Sequence, residues 1–180
     1  MFLGDDNNIA FGKNGNDTMF GGDGTDVIFG GKGNDTLAGN GGFNLLFGED
    51  GNDTLIGGQF GNFLDGGKGK DTLIGGAEDD TLHGGEGKDV HFGGGGDDTF
   101  VFRSGGGRDV VMDFQEGDIL EIQKNINGLR IRDADDLLCR VHEDCDGNAV
   151  IDLGRGDSIT LVNVSADDIH DDPDAFFKIS

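Results

Sequence analysis

Large apolar residues recur along the first part of the chain at a fixed interval of nine residues, separated by polar, glycine-rich stretches. The interval is occupied by Met19, Ile28, Leu37, Leu46, Leu55, Leu64, Leu73, Leu82 and Phe100, with His91 as the polar exception. Each of these residues lies in the middle of a triplet that often begins with Thr, a residue that favours strands. The remaining six residues are rich in Gly, Asp and Asn, which favour turns. The pattern predicts short strands with one inward side chain each, joined by tight turns.

The interval reflects a sequence repeat. From Gly12 to Val101 the chain consists of ten consecutive nonapeptides without insertion or deletion. Gly21–Phe29 has the sequence GGDGTDVIF, Gly30–Ala38 has GGKGNDTLA and Gly66–Ile74 has GGKGKDTLI, while Leu3–Phe11 is a degenerate unit in the same frame. Ten units in register are hard to obtain by chance. Stacked units of this kind bury a continuous core that no single unit buries alone.

The consensus G-G-x-G-x-D-x-U-x, in which U is a large apolar residue, resembles the RTX (repeat-in-toxin) calcium-binding nonapeptide repeat. The resemblance implies an all-β fold, a right-handed parallel β-roll of about five coils with a C-terminal β-rich capping segment. In that family six residues form a turn and three form a strand, and two nonapeptides make one coil. Turns 18 residues apart therefore lie on top of one another. We expect the roll to cover residues 3–101 and the cap to cover residues 102–180.

Composition narrows the functional classes. The 180 residues include 37 Gly and carry a net charge of −23. Such a charge repels a phosphate backbone and excludes a nucleic-acid binder. The Gly content opposes a helical bundle, because each Gly costs a helix about 1 kcal/mol. No stretch is apolar over the roughly 18 residues of a membrane span, and the first residues lack the basic and apolar regions of a signal peptide. The motifs of zinc proteases, serine hydrolases and P-loop enzymes are absent, so no catalysis is expected.

Every second turn lies on the same side of the expected roll, which divides the turns into two stacks. We name them the aspartate stack and the mixed stack after the sixth residue of each turn. The aspartate stack has Asp17, Asp35, Asp53, Asp71 and Asp89, with Gly in every fourth place. The mixed stack has Asn8, Asp26, Asn44, Asn62, Asp80 and Asp98, and its fourth place is Phe60 in one turn and Glu78 in another.

Carboxylates stacked in this way repel one another unless a cation lies between them. At the strand spacing of about 4.8 Å, two charges repel by roughly 1 kcal/mol in water and by several times more near a protein surface. Oxygen ligands with adaptable geometry favour Ca²⁺ over Mg²⁺, which demands octahedral geometry, and over Zn²⁺, which prefers His and Cys. The competing interpretation is that these residues only shape turns, which Asp and Asn favour without any metal.

The resemblance also implies ligands for several calcium ions. In the family, one ion takes the second- and fourth-place carbonyls and the Asp of one turn, with the first- and third-place carbonyls and the Asp of the next turn in the stack. The four sites implied for the aspartate stack comprise Lys13, Gly15, Asp17, Gly30, Lys32 and Asp35; Gly31, Gly33, Asp35, Gly48, Asp50 and Asp53; Glu49, Gly51, Asp53, Gly66, Lys68 and Asp71; and Gly67, Gly69, Asp71, Gly84, Glu86 and Asp89. Carbonyl ligands tolerate a changed side chain, so Lys13 and Glu49 are mild departures, whereas Phe60 is a serious one.

The mixed stack matches the family less well. Its best site comprises Gly76, Glu78, Asp80, Gly93, Gly95 and Asp98, and a ligand role is also implied for Gly22, Gly24 and Asp26. Asn44 and Asn62 either bind through one oxygen or only shape the turn. We expect no ion between them and little effect of Asn62→Ala. Asp109 follows Asp89 by 20 residues rather than 18, and a loop insertion either places it over Asp89 as a last ligand or leaves it outside the ladder.

Outward positions on one sheet are unusually apolar. We call this set the apolar stripe; it comprises Ile9, Phe11, Val27, Phe29, Leu45, Phe47 and Phe63. Because large apolar patches mark interfaces, we expect self-association or docking of a protein partner through Phe11, Phe29 and Phe47. The alternatives are that the C-terminal segment of the chain covers the stripe, or that the stripe is simply exposed to solvent.

The nine-residue period ends after Phe102. Strands are predicted at 109–114, 119–122, 149–153 and 158–162, and a short helix over Asp133–Val141 with Asp133 as its N-cap. This order is similar to the segment that follows the repeats in many secreted RTX proteins, which caps the roll and contains an uncleaved type I secretion signal. Cys139 and Cys145 are expected to be free thiols or a pair. The four histidines, His83, His91, His142 and His170, lack metal-binding spacing.

These features predict a secreted, extracellular calcium-binding module that extracellular calcium folds and a type I secretion apparatus exports. It is either free-standing or the stabilising part of a larger secreted protein. The alternative is an adhesion module for carbohydrate or protein, similar to the accessory modules of alginate epimerases. A third class, an ice-binding solenoid, would use the outward rank of Thr18, Thr36, Thr54 and Thr72, which Val90 interrupts.

Overall fold

The computed structural model describes every residue from Met1 to Ser180. The strands are β1 Ile9–Asn14, β2 Thr18–Gly22, β3 Val27–Lys32, β4 Thr36–Asn40, β5 Leu45–Asp50, β6 Thr54–Gly58, β7 Phe63–Gly69, β8 Thr72–Gly76, β9 Thr81–Gly87, β10 Val90–Gly94, β11 Thr99–Phe102, β12 Arg108–Val111, β13 Ile119–Ile122, β14 Val141–Glu143, β15 Ala149–Gly154, β16 Asp157–Leu161 and β17 Phe177–Ile179. The helices are α1 Asp135–Leu138 and α2 Ala166–Asp171, with 3-10 turns at Ile126–Gly128 and Pro173–Ala175.

Successive strands of the repeat region join opposite sheets. The first sheet has the order β1-β3-β5-β7-β9-β11-β13-β17, and the second has β14-β15-β16-β12-β10-β8-β6-β4-β2. All pairings are parallel except those of β14 with β15 and of β15 with β16. The chain therefore winds into a parallel β-solenoid of about six turns. The predicted all-β roll is confirmed, and its coils continue past the last nonapeptide.

The strand register aligns the inward residues into two facing rows. In the second sheet Met19 lies opposite Leu37, followed by Leu55, Leu73 and His91. The facing row of the first sheet comprises Ala10, Ile28, Leu46, Leu64, Leu82, Phe100, Leu120 and Phe177. All are buried, and the apolar members belong to one continuous core of 28 residues. The nine-residue interval thus marks the core, as predicted.

His91 is the polar member of this core. Its side chain is completely buried, and both ring nitrogens lack a hydrogen-bond partner. Burial lowers the pKa of His91 to about 3, so the ring is neutral at pH 7. The ring packs edge-on against Phe100 and Phe102, with centroid distances of 6.0 and 5.8 Å. His91 is therefore a core residue, as expected.

The cap grows directly out of the roll. β12 pairs with β10 and β13 with β11, and partners in this coil are 20 residues apart, as at Val90 and Val110. β16 and β17 add to the same two sheets. Ile126, Ile159 and Ile169 close the end of the core with fully buried side chains. The division between 3–101 and 102–180 stays a prediction based on the sequence period, since both sheets run across it.

The predicted helix over Asp133–Val141 is too long. Helix α1 begins after Ala134 as N-cap, not Asp133, and ends at Leu138. Leu137 and Val141 are spaced like the inward residues of a helix, yet Val141 begins β14. Helix α2 was not predicted, although Ser165 and its N3 residue form a capping box there.

The two cysteines and the two helices bear on the class of protein to which the chain belongs. Cys139 and Cys145 are exposed free thiols on either side of β14. Neither helix has the length and apolar character that crossing a membrane requires.

Candidate metal sites in the turn stacks

Each Asp that follows Asp17 in the aspartate stack is hydrogen-bonded to the turn below it. Oδ1 of Asp35 accepts a hydrogen bond from the backbone N–H of Asp17 at 2.7 Å. The same bond recurs at Asp53, Asp71, Asp89 and Asp109, with distances from 2.7 to 3.0 Å. Of the two alternatives for Asp109, the structure therefore places it over Asp89 as the last member of the ladder.

The other carboxylate oxygen of these residues has no partner. In both stacks Oδ2 is buried without any hydrogen bond at Asp17, Asp26, Asp35, Asp53, Asp71, Asp80, Asp89 and Asp98. A buried ionised carboxylate is costly unless it is paired. A row of such oxygens, one in each Asp-containing turn of the repeat region, fits a cation between successive turns.

Backbone carbonyl oxygens face the same space. A Cβ atom on Gly30 would lie 2.4 Å from Oδ2 of Asp35 and 2.9 Å from the carbonyl oxygen of Gly48 in the next turn. The carboxylate and the carbonyl therefore border one volume, which only a glycine in the first place leaves open. The same crowding by an Asp Oδ2 and by the next turn's carbonyl is found at Gly12, Gly48 and Gly66.

Substituted turns differ in whether they keep the backbone conformation. Lys13 and Glu49 adopt φ angles of 79° and 75°, in the left-handed region that Gly31 also occupies at 111°. Glu78 likewise remains left-handed at φ 62°, whereas Phe60 does not adopt a positive φ. The turns with Lys13 and Glu49 thus keep the geometry of the repeat, and the turn with Phe60 departs from it.

Burial controls the acid–base behaviour of the ladder. It raises the pKa of Asp53 and Asp89 to about 6, of Asp71 to about 7 and of Asp109 to about 8. In the mixed stack burial raises the pKa of Asp80 to about 7 and of Asp98 to about 6. Neighbouring carboxylates add to most of these increases. In the metal-free roll these groups therefore titrate near neutral pH.

The available ligands are almost entirely oxygen atoms. No three side chains of His, Cys, Asp or Glu converge on one point. A cation in either stack must therefore be held by pairs of carboxylates together with main-chain carbonyls. Such a ligand set suits Ca²⁺, which accepts carbonyl and carboxylate oxygens in flexible numbers.

Sequence reasoning missed one member of the mixed stack. Oδ1 of Asp118 accepts the N–H of Asp98 at 2.9 Å, and its Oδ2 accepts the N–H of Gln115 at 2.9 Å. Asp118 follows Asp98 by 20 residues, the same interval that separates Asp109 from Asp89. This shared interval of 20 residues is the feature of the sequence that could have placed Asp118 in the mixed stack.

The two asparagines of the mixed stack are well bonded. Oδ1 of Asn62 accepts the N–H of Asn44, and Nδ2 of Asn62 donates to the carbonyl of Phe60 and to Oδ1 of Asp80. Asn62 is only 2% exposed. These buried bonds argue against the expectation that Asn62→Ala has little effect, and that expectation remains untested.

The apolar stripe lies on the outer face of the first sheet, where Ile9 and Phe11 are exposed and the other five members are half-buried. The rings of Phe11, Phe29 and Phe47 stack at 5.0 and 4.9 Å. Ile9 and Phe11 are 70% and 59% exposed. Coverage by the C-terminal segment is excluded, because β17 pairs with β13 at the opposite end of the sheet.

Comparisons with known proteins address the repeat region and the fold. The family model of the RTX calcium-binding nonapeptide repeat (4 copies) matches residues 2–37, 30–64 and 65–100. The extracellular lipase LipA from Serratia marcescens is a similar solved structure, with a TM-score of 0.41 and 20% sequence identity. The alignment covers 88% of this chain and 39% of the lipase chain, so this chain spans well under half of that protein. A search of curated proteins found no match.

The family match extends over both turn stacks. It includes all of the nonapeptides that place an unpaired carboxylate oxygen between successive turns. Since the matched residues make up more than half of the chain, the protein belongs to the RTX calcium-binding nonapeptide-repeat family.

Proposed function

We propose that this chain is a secreted module that calcium folds, and that its role is to bind calcium and stabilise structure rather than to catalyse a reaction. The observation that carries this proposal is the set of buried, unpaired Oδ2 oxygens in the turn stacks. Each of them is an ionisable group that folding removes from water. Without a bound cation, that burial opposes folding.

The proposed sites lie between consecutive turns of the aspartate stack. In each interval the Asp of both turns would bind the ion, together with the carbonyls that the family resemblance implies. The stacked Asp residues delimit five such intervals: Asp17–Asp35, Asp35–Asp53, Asp53–Asp71, Asp71–Asp89 and Asp89–Asp109. In the mixed stack, Asp80 and Asp98 offer the matching arrangement, and Gly22, Gly24 and Asp26 offer half of one. Asp118 stacks on Asp98 but uses its Oδ2 to accept the N–H of Gln115.

Calcium-dependent folding would suit export through a type I secretion apparatus. Unfolded ligands form no site, so the free energy of calcium binding becomes free energy of folding. Extracellular calcium modules bind in the range of about 10⁻⁴ to 10⁻³ M. At the low calcium level of the cytosol the chain would stay unfolded and exportable, and it would fold once outside the cell. The module acts alone or stabilises a larger secreted protein.

A second function is supported by the exposed apolar stripe: we infer that two folded copies associate through it. No outward residue of the stripe is charged, whereas the chain as a whole carries −23. Calcium would neutralise much of that charge and weaken the repulsion between copies. Each aromatic side chain that a second copy buries contributes roughly 1.5–3 kcal/mol.

Chelator-treated protein is expected to lack the β-type circular dichroism of the roll and to gain it on titration with calcium. The reason is that calcium removes the cost of the unpaired carboxylates. The midpoint should lie at about 10⁻⁴ to 10⁻³ M calcium. A roll that is fully folded in excess chelator at pH 7 contradicts the proposal.

Asp53→Ala is expected to weaken calcium-driven folding strongly, because Asp53 borders two of the proposed intervals. Asp50→Ala is the matched control, since Asp50 would contribute only its carbonyl and its exposed side chain pairs with Lys68 at 3.3 Å. Such surface pairs contribute about 0–1 kcal/mol. Calcium titrations monitored by circular dichroism, together with counts of bound ions, compare the two variants. Equal effects of the two substitutions would argue against carboxylate ligation.

In calcium-depleted buffer, the roll is expected to become more stable as the pH falls from about 8 to about 5. Burial raises the pKa of Asp109 to about 8 and of Asp53 to about 6, above the roughly 3.9 of an unfolded chain. The associated stability is complete below the unfolded pKa and is lost as the pH rises through the folded pKa. Because the calcium-free chain is expected to be mostly unfolded at pH 7, circular dichroism at several pH values measures the gain in its folded fraction, and Asp109→Asn should flatten the profile near its upper end. A metal-free roll that loses stability on acidification over this range rules the explanation out.

Phe29→Asp with Phe47→Asp is expected to convert a calcium-dependent dimer into a calcium-folded monomer, because the new charges replace the stacked rings. Thr81→Asp with Thr99→Asp adds the same charge to outward positions of the same sheet and should leave the dimer intact. Light scattering with and without calcium reports the mass. If the wild-type protein is monomeric at high concentration with calcium, the second copy is not the occupant of the stripe.

A further inference from the structure

We propose that Asn44 and Asn62 form a calcium-independent clasp in the mixed stack, in which amide N–H groups take the place of bound ions between the turns. This inference rests on the calcium sites proposed above and concerns the intervals that do not fit an ion. It assigns these two asparagines a bonding role of their own rather than that of weakened ligands.

The amide nitrogens occupy the position of the unpaired carboxylate oxygens. A Cβ atom on Gly39 would lie 2.3 Å from Nδ2 of Asn44, and a Cβ on Gly57 would lie 2.6 Å from Nδ2 of Asn62. In the aspartate stack the corresponding distance, from Gly30 to Oδ2 of Asp35, is 2.4 Å. A hydrogen-bond donor thus stands where the other turns place an acceptor that has no donor.

Hydrogen bonds fix the orientation of both amides. Oδ1 of Asn44 accepts the N–H of Asp26 at 3.0 Å, and Oδ1 of Asn62 accepts the N–H of Asn44 at 3.0 Å. Because the oxygens are used in this way, the Nδ2 groups must face the space between the turns. The ladder of backbone N–H to side-chain oxygen therefore passes through the asparagines without a break.

The Nδ2 groups also occupy the oxygens that an ion would need. Nδ2 of Asn44 donates to the carbonyls of Gly41 and Gly42, both at 3.1 Å. Nδ2 of Asn62 donates to the carbonyl of Phe60 and, at 3.1 Å, to Oδ1 of Asp80. An N–H group presents positive charge, so it excludes a cation from the same oxygens. The intervals Asn44–Asn62 and Asn62–Asp80 are accordingly closed by the protein itself.

One departure from the repeat lies in the turn that contains Asn62. The fourth-place glycine is replaced by Phe60, whose φ is not positive. Phe43 and Phe60 are 50% and 53% exposed on the turns that contain Asn44 and Asn62. Where the amide of Asn62 closes the turn, the backbone no longer has to present its carbonyls to a metal, and a residue other than glycine fills the fourth place. The turn of Asn44 keeps Gly42 there, with a φ of 73°.

The test is to convert the clasp into metal sites. In Asn44→Asp with Asn62→Asp, two donors become carboxylate oxygens, and native mass spectrometry in saturating calcium is expected to show about two more ions than in the wild type. Asn34→Asp is the matched control: Asn34 is exposed, and its Oδ1 accepts the N–H of Asn52 at 2.9 Å. The control should gain no ion. An unchanged ion count in the double variant overturns the clasp.

A second variant decides the matter if the double variant does not fold. Asn62→Ala removes the clasp bonds without adding a ligand, so the calcium-loaded protein should keep its full ion count while its Tm falls by several degrees. Loss of an ion in Asn62→Ala would show that Asn62 binds calcium and would overturn the clasp. A wild-type protein that binds no calcium at all would instead refute the proposed function, so the two failures are distinguishable.

Discussion

The rest of the structure depends on how the Asp side chain at the sixth place of most turns divides its two oxygens. Oδ1 accepts the backbone N–H of the turn below, which fixes the stacking of the turns at the spacing of the strands. Oδ2 is then held in the interior of the stack with no donor in reach. The hydrogen bond from the backbone N–H to Oδ1 stacks the turns, and it also holds Oδ2 in the interior, where a cation would stabilise it. Under the proposed function, calcium binding and coil stacking would therefore be coupled in a turn built this way.

The same geometry explains the glycine content. At Gly30 any side chain would collide with Oδ2 of Asp35 and with the carbonyl of Gly48. At Gly33 the φ angle is 123°, and a Cβ would lie 2.2 Å from the carbonyl of Gly15 in the neighbouring coil. Glycine is thus required wherever the turn brings oxygens together. The second place is equally crowded at Gly31, where a Cβ would lie 2.2 Å from the carbonyl of Lys13. Lys13 and Glu49 nevertheless occupy this place with φ angles of 79° and 75°, a conformation that costs a residue with a side chain of order 1–3 kcal/mol.

The sequence period was sufficient to predict the coil, the core rows and the ladder, because each nonapeptide repeats one local geometry. It was insufficient where the frame shifts: Asp118 lies in the stack through a 20-residue interval that the period does not contain. Helix α1 was overextended because Leu137 and Val141 satisfy helical spacing while lying in different elements. The hydrogen bonds of Asn62 could not be predicted from the sequence. The presence of Asn instead of Asp shows that a carboxylate is missing, but it does not show the direction in which Nδ2 points.

The hydrogen bonds of the ladder all run in the same direction along the stack, and this gives the cap a second structural role. Each turn receives its acceptor from the turn that follows it in the stack, so the last repeats depend on residues beyond the repeat region. Asp109 and Asp118 supply the acceptors for the N–H groups of Asp89 and Asp98. Without them these two buried donors would be unpaired, at a cost of about 1–3 kcal/mol each. The cap therefore completes the hydrogen bonding of the turns as well as covering the apolar end of the core.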